Sequence, residues 1–118
     1  MPGTCTRGMV LEVNLDPAIG SEPNKTRPCV VIQNDIGNRY SPVSIVATIT
    51  GAENVPRRYP VDVLVPKGEG GLSKDSVVQC NLIRSVDEKR FVRTLGHLSK
   101  ATMEKVDRAL RISLDLQK

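Results

Sequence analysis

The apolar residues of this chain come in short blocks rich in β-branched side chains: Cys29-Val30-Val31-Ile32, Val43 to Thr50 (VSIVATIT) and Val61 to Val65 (VDVLV). Blocks of this length between turn formers specify strands, not helices. Cys29 to Gln33 is expected as a strand buried on both faces, since no polar residue interrupts it until Gln33. Arg7 to Leu15 alternates instead. Met9, Leu11, Val13 and Leu15 share one face and Val10, Glu12 and Asn14 the other, which is the pattern of a half-buried strand. Pro60 and Pro66 fence the Val61–Val65 block, as expected of residues that cannot donate to a ladder. Ser76 to Val86 (SVVQCNLIRSV) forms one long strand or two with a bend, and Phe91 to Leu98 a further strand. A helical turn is expected in "NDIGNRYSP" and another, capped by Asp87, in "DEKRF".

Only the tail has helical spacing. Ser99 is a plausible N-cap, after which Met103, Val106, Ala109, Leu110, Ser113 and Leu114 recur on one stripe. Ile112 and Leu116 lie off it, so a second face of this helix is expected to be covered, another subunit being one such cover. Many short strands and one terminal amphipathic helix give a mainly β fold, a small barrel or strongly curved sheet with helical decoration. At 118 residues the chain is expected to form one domain, 1–118, with one core. Phe91, Tyr40 and Tyr59 are its only aromatics, so that core is built from Val, Ile and Leu. The same scarcity leaves little material for recognising RNA by stacking successive bases.

Several chemistries are excluded. A single histidine, His97, rules out a two-histidine nuclease, and in "GHLSK" it is expected to be structural or superficial. "GEGG" (Gly68 to Gly71) lacks the Lys-Ser/Thr of a phosphate-binding loop and is expected to make a turn. No "GxSxG" elbow is present. Cys5, Cys29 and Cys80 have no metal-type spacing, and Cys29 and Cys80 fall in apolar runs as small buried hydrophobes. No apolar segment approaches the roughly 20 residues that span a bilayer, and no secretory signal is evident, so a cytoplasmic location and no membrane partner are expected. The net charge of +4 is concentrated beyond residue 50, where residues 51–100 carry nine basic and six acidic side chains. Such a surplus is compatible with a polyanionic partner and equally with an ordinary solvated surface.

What remains is arginine, threonine and loop backbone. Asp16 to Thr26 (DPAIGSEPNKT) is a loop of 11 residues rich in turn formers, with Gly20, Ser21, Pro23 and Asn24 among them. Loops of that length are often functional. Arg27 follows it at the mouth of a core strand. Pro28 pushes Arg27 toward an extended backbone and thereby aims it. A guanidinium is a rigid fork of donors matched to phosphate oxygens. The competing reading is an ion pair with a carboxylate, Glu22 being the nearest in the loop.

The segments "RGMVLEVNLDPAIGSE" (Arg7 to Glu22), "RPCVVIQND" (Arg27 to Asp35), "IVATITG" (Ile45 to Gly51), "DSVVQCNLIRSVD" (Asp75 to Asp87) and "LGHLSKATMEKVDRALRISLDL" (Leu95 to Leu116) together resemble the MazF/PemK toxins of bacterial toxin–antitoxin systems. The resemblance implies a homodimeric endoribonuclease on a small SH3-like barrel. Such an enzyme needs no metal or other cofactor and cuts single-stranded RNA, messenger RNA in particular, to 2′,3′-cyclic phosphate and 5′-hydroxyl ends. Translation and growth stop as a result, unless an acidic MazE-like antitoxin occupies the RNA groove. By the same resemblance Arg27 and Thr50 are the catalytic pair and Glu22 has a supporting role. Asp16, Pro17, Gly20, Ser21, Lys25 and Thr26 of the loop are expected to bind RNA. So are Arg57 and Arg58, and Asp75 and Ser76 at the head of the fifth strand. Relatives often carry Gln just before the "IR" of that strand, where this chain has Leu82 preceded by Asn81, so their base preference does not carry over. Two alternatives stand beside this reading: a non-enzymatic toxin of the same fold that poisons DNA gyrase through its terminal helix, and a nucleic-acid-binding barrel without catalysis.

Overall fold

The computed structural model describes residues 4–22 and 25–116. Pro23 and Asn24, two of the expected turn formers, lie outside them. The order of elements is β1 (Met9–Asn14), β2 (Thr26–Val31), α1 (Asp35–Tyr40), β3 (Val43–Gly51), β4 (Asp62–Val65), β5 (Ser76–Asp87), β6 (Phe91–His97) and α2 (Lys100–Ser113), with single 3₁₀ turns at Ala52–Asn54, Glu69–Gly71 and Glu88–Arg90. The strands form one antiparallel, curved sheet in the order β4-β5-β3-β2-β1-β6. Strand β2 begins at Thr26, three residues before the apolar run, because Thr26 and Arg27 pair with Asn14 and Val13 of β1.

The sheet is covered on both sides. Val10, Val30, Ala47, Ile49, Val78 and Cys80 face a cluster completed by Met103, Val106 and Ala109 of α2. The alternate residues Leu11, Val13, Cys29, Val31 and Val46 face a second cluster with Leu15 and Val86. The half-buried reading of the first strand is therefore corrected at Val10, which is fully buried. Alternation marks one buried face but is silent when a lone valine on the other face also meets a core. Cys29, Val30 and Val31 are all at 0% exposure, the two-sided burial that their sequence predicts.

The punctuation works as the residue types require. The side-chain oxygens of Ser99, Asp87 and Asn34 accept from the backbone N–H of Thr102, Lys89 and Gly37 and so satisfy donors that each helix start leaves open. "GEGG" makes a 3₁₀ turn in which Gly71 has φ +73°, and a Cβ there would lie 2.0 Å from the Leu95 carbonyl oxygen. Only glycine fits that position. His97 packs its ring over Gly8, with Nδ1 2.9 Å from the Leu98 carbonyl, a structural role. Arg7 ties the sheet to the terminal helix: its Nη2 meets Asp107 Oδ1 at 2.7 Å and its Nε donates to the Ile32 carbonyl. Among the described residues, no buried side-chain nitrogen or oxygen lacks a hydrogen-bond partner.

Strand β5 is one strand with a defect. Its pairing with β3 jumps from Ala47–Ile83 to Thr48–Gln79, so Cys80, Asn81 and Leu82 bulge out of the ladder. A bulge bends its strand and re-aims side chains, and this one stands beside the expected site.

Candidate active site

Strands β2 and β3 pair with Cys29 opposite Thr48 and Val30 opposite Ala47. Continuing that register two residues sets Arg27 opposite Thr50. Pro28 has no N–H to donate, and the ladder between the two strands stops at Cys29, leaving an unladdered fork at Arg27 and Thr50. Within this fork lies a cavity of about 300 Å³ lined by Ser21, Arg27, Thr48, Thr50, Asn54, Gln79 and Leu82. A smaller one of about 160 Å³ adjoins it, lined in part by Arg27, Thr50, Asn54, Lys74 and Ser76. On the other side, sharing Ser21, Thr48 and Leu82, is an apolar slot of about 600 Å³ whose walls include Leu15, Pro17, Ile19, Glu22, Asn81, Ile83 and Arg84.

The expected site residues divide among these places. Arg27 and Thr50 meet at two cavities, and Ser21 joins them in the larger of the two. Ser76 reaches the smaller one but is buried, its hydroxyl donating to the Lys74 carbonyl at 2.9 Å. Pro17 and Glu22 line the apolar slot, and Glu22 Oε1 accepts from the Ile19 N–H at 2.9 Å, closing a tight turn. Asp16 and Lys25 form the neck of the loop. Asp16 Oδ1 accepts from the Lys25 N–H at 2.8 Å, while the Lys25 carbonyl accepts from the Leu15 N–H at 2.9 Å. Lys25 adopts φ +60° to do so. Gly20, also at φ +60°, has open space around it, and Thr26 is exposed opposite Asn14. Asp75 fixes a turn, its carboxylate accepting from the Lys67 N–H. Arg57 and Arg58 are exposed and stand outside the walls of these three cavities.

Other residues at the site carried little sequence signal. Arg84 Nη1 donates to the Leu15 carbonyl at 2.7 Å, and Arg90 donates to the carbonyls of Asn14 and Asp16, so two arginines moor the root of the loop. Asn54, from the 3₁₀ turn after β3, donates through Nδ2 to Thr50 Oγ1 at 3.0 Å. Gln79 was the more legible, being a polar side chain inside the apolar run Val77-Val78-Gln79-Cys80. Lys74 at the rim is paired with Glu53, and that hydrogen bond holds the Glu53 carboxyl below its ordinary value.

The cysteines are not nucleophiles. All three are buried, and burial raises the thiol of Cys5 and pushes those of Cys29 and Cys80 up to about 12. Among the described residues, no group of three or more His, Cys, Asp and Glu side chains is arranged to hold a metal ion. The cavity walls instead carry a cationic side chain, Arg27, and the neutral polar side chains of Thr50, Asn54 and Gln79.

An antiparallel sheet thus gathers an arginine, two threonines and two side-chain amides around one cavity beside an apolar slot. Comparison with known proteins places this arrangement. The family described as PemK-like, MazF-like toxin of type II toxin-antitoxin system matches residues 6–114, and the chain belongs to it. The chain is 44% identical over 110 residues to Endoribonuclease EndoA of Bacillus subtilis, spanning 93% of this chain and 94% of that protein. Its fold matches MazF from Deinococcus radiodurans, with a TM-score of 0.78, 23% identity and coverage of 95% and 97% of the two chains. It likewise matches a mycobacterial endoribonuclease solved in complex with its cognate antitoxin, with a TM-score of 0.80, 21% identity and coverage of 98% and 99%. No helix among the described residues is long and apolar enough to cross a membrane.

Proposed function

We propose that this chain is the RNA-cleaving toxin of a type II toxin–antitoxin pair, a cytoplasmic endoribonuclease acting on single-stranded messenger RNA. The observation that supports it most directly is the convergence of Arg27 and Thr50 on one cavity from adjacent strand ends. RNA brings its own nucleophile. The 2′-oxygen bonds to the neighbouring phosphorus, the P–O5′ bond breaks, the 2′-hydroxyl proton is lost and the departing 5′-oxygen gains one. The products are a 2′,3′-cyclic phosphate and a 5′-hydroxyl. The protein's tasks are to hold the reacting atoms in line and to stabilise the charge on the five-coordinate phosphorus.

Arg27, whose guanidinium is a planar fork of donors matched to phosphate oxygens, acts as the electrostatic clamp. Thr50 donates its hydroxyl proton to a phosphate oxygen. Glu22, on the adjoining slot, supports the reaction from the loop, and the loop residues around Ser21 lie over the RNA. The half-buried slot beside the fork takes a base flanking the scissile phosphate. The functional unit is a homodimer, kept silent by an acidic antitoxin laid over the same cationic surface. The joint placement of Arg27 and Thr50 favours this reading over a gyrase-directed toxin, which would need neither residue.

Purified protein incubated with single-stranded RNA in excess EDTA, followed by mapping of 5′ ends, tests the reading. Cleavage at a recurring short motif with 5′-hydroxyl ends is expected. Intact RNA under those conditions, from a folded and antitoxin-free protein, would overturn it.

A further inference from the structure

Two threonines of β3, Thr48 and Thr50, line the same cavity, two residues apart on one face of the strand. Their hydroxyls are wired in opposite senses. Thr48 Oγ1 donates to the Leu82 carbonyl at 3.1 Å, which uses its only proton. Thr50 Oγ1 accepts from Asn54 Nδ2 at 3.0 Å, which fills a lone pair and leaves the proton unused by that contact. A hydroxyl has one proton and two lone pairs, so the partner at Asn54 decides whether Thr50 can give a hydrogen bond to the fork or only receive one. Asn54 itself lines both cavities that Arg27 lines. It is placed there by the 3₁₀ turn Ala52–Asn54, which turns the chain back immediately after β3 ends at Gly51.

We infer that Asn54 is a positioning residue that sets the polarity of Thr50, filling its acceptor side so that its proton points at the phosphate. The inference rests on the nuclease reading and adds to it the reason that Thr50, not Thr48, is the donor. Two substitutions separate the possible roles. Asn54→Ala removes the amide and lets the Thr50 hydroxyl rotate. Asn54→Asp offers only acceptors, so Thr50 must turn its proton away from the cavity. Position 54 is exposed in a three-residue turn, so both variants are expected to fold, and melting curves superimposed on the wild type check this.

Single-turnover cleavage of one RNA oligonucleotide, with wild type and Arg27→Ala as positive and negative controls, reads the effect. Asn54→Ala is expected to lower the cleavage rate constant about tenfold with RNA affinity within about twofold, and Asn54→Asp to lower it further, on the order of a hundredfold. In a Thr50→Val background, Asn54→Ala is expected to change nothing, because the group it orients is gone. An Asn54→Ala enzyme cutting at the wild-type rate overturns the inference while leaving the nuclease reading intact. So does a loss confined to RNA affinity, or one that persists undiminished in Thr50→Val. A wild type that leaves RNA whole removes both.

Discussion

The two faces of the central strands share a backbone and perform different tasks. Val30 and Ile49 point toward α2 and are sealed among aliphatic side chains, whereas Arg27 and Thr50 point to the opposite face and stand over open cavities. Residues one apart in sequence thus serve packing or chemistry according to parity alone. The lesson is economy of means. A strand end rigid enough to aim a guanidinium is rigid because Val30 and Ile49 on the other face are at 0% and 1% exposure.

Substitutions at adjacent positions should therefore separate stability from activity. The largest effect is expected from Ile49→Ala, which hollows the helix-side core and should cost about 2–5 kcal/mol of folding stability, read as a fall in the urea midpoint. Its neighbour Thr50→Val should leave that midpoint nearly unchanged. Equal destabilisation at both positions would erase the distinction between the faces.

Arg27→Ala comes next. Loss of one charge-stabilising donor is expected to lower the cleavage rate by about 10²–10³, or roughly 2.7–4 kcal/mol of transition-state stabilisation. The melting temperature should stay close to the wild type, and unfolding of this variant would mean that the arginine is a structural ion-pair partner. On the other face, Ser99→Ala removes the cap of α2 and should cost about 1 kcal/mol with cleavage untouched. A cleavage defect in this variant would show that α2 communicates with the fork.

The smallest effect belongs to acid. Asp35 is held below its ordinary value of 3.8 by the Arg7 backbone N–H and then by the Asn38 amide. Its folded form thus binds fewer protons than the unfolded chain. The stabilisation is fully present above that ordinary value and disappears as pH falls through the folded value. Because the carboxyl is exposed, the difference in urea midpoint between wild type and Asp35→Asn should be slight at pH 5 and smaller still near pH 3. Parallel curves for the two proteins would remove Asp35 from the account. A null signal completes the series: Cys29 and Cys80, with thiols pushed up to about 12, should resist alkylation at pH 8 until the chain unfolds.

Much of this was legible in advance. The strand blocks, the caps at Ser99 and Asp87 and the turn at Gly68 to Gly71 follow from residue type and spacing, because they depend on neighbours a few positions away. The pairing of Arg27 with Thr50 came through family resemblance; spacing alone cannot say that residues 23 apart meet. A bend in the fifth strand could be anticipated, but not the bulge at Cys80 to Leu82 that makes it, since a register shift is defined only by the partner strand. Arg84 and Arg90 bond to backbone carbonyls 69 to 76 positions away, and carbonyls carry no residue-type signature. Asn54 could be seen as a turn former but not as the partner of Thr50. Val10 was misjudged because one polar-looking face, Val10-Glu12-Asn14, is dry at one end and wet at the other.

The mooring of the first loop has a consequence for how such a chain can change over time. Asp16 and Lys25 clasp each other, and Arg84 and Arg90 grip the root, so residues 17–22 belong to a lobe hung from a fixed ring. Lengthening a lobe of that kind is thermodynamically cheap, about 0.6 kcal/mol for each doubling. Insertions and replacements there leave the sheet undisturbed, and selection can redraw the lobe without asking the rest of the molecule to be rebuilt.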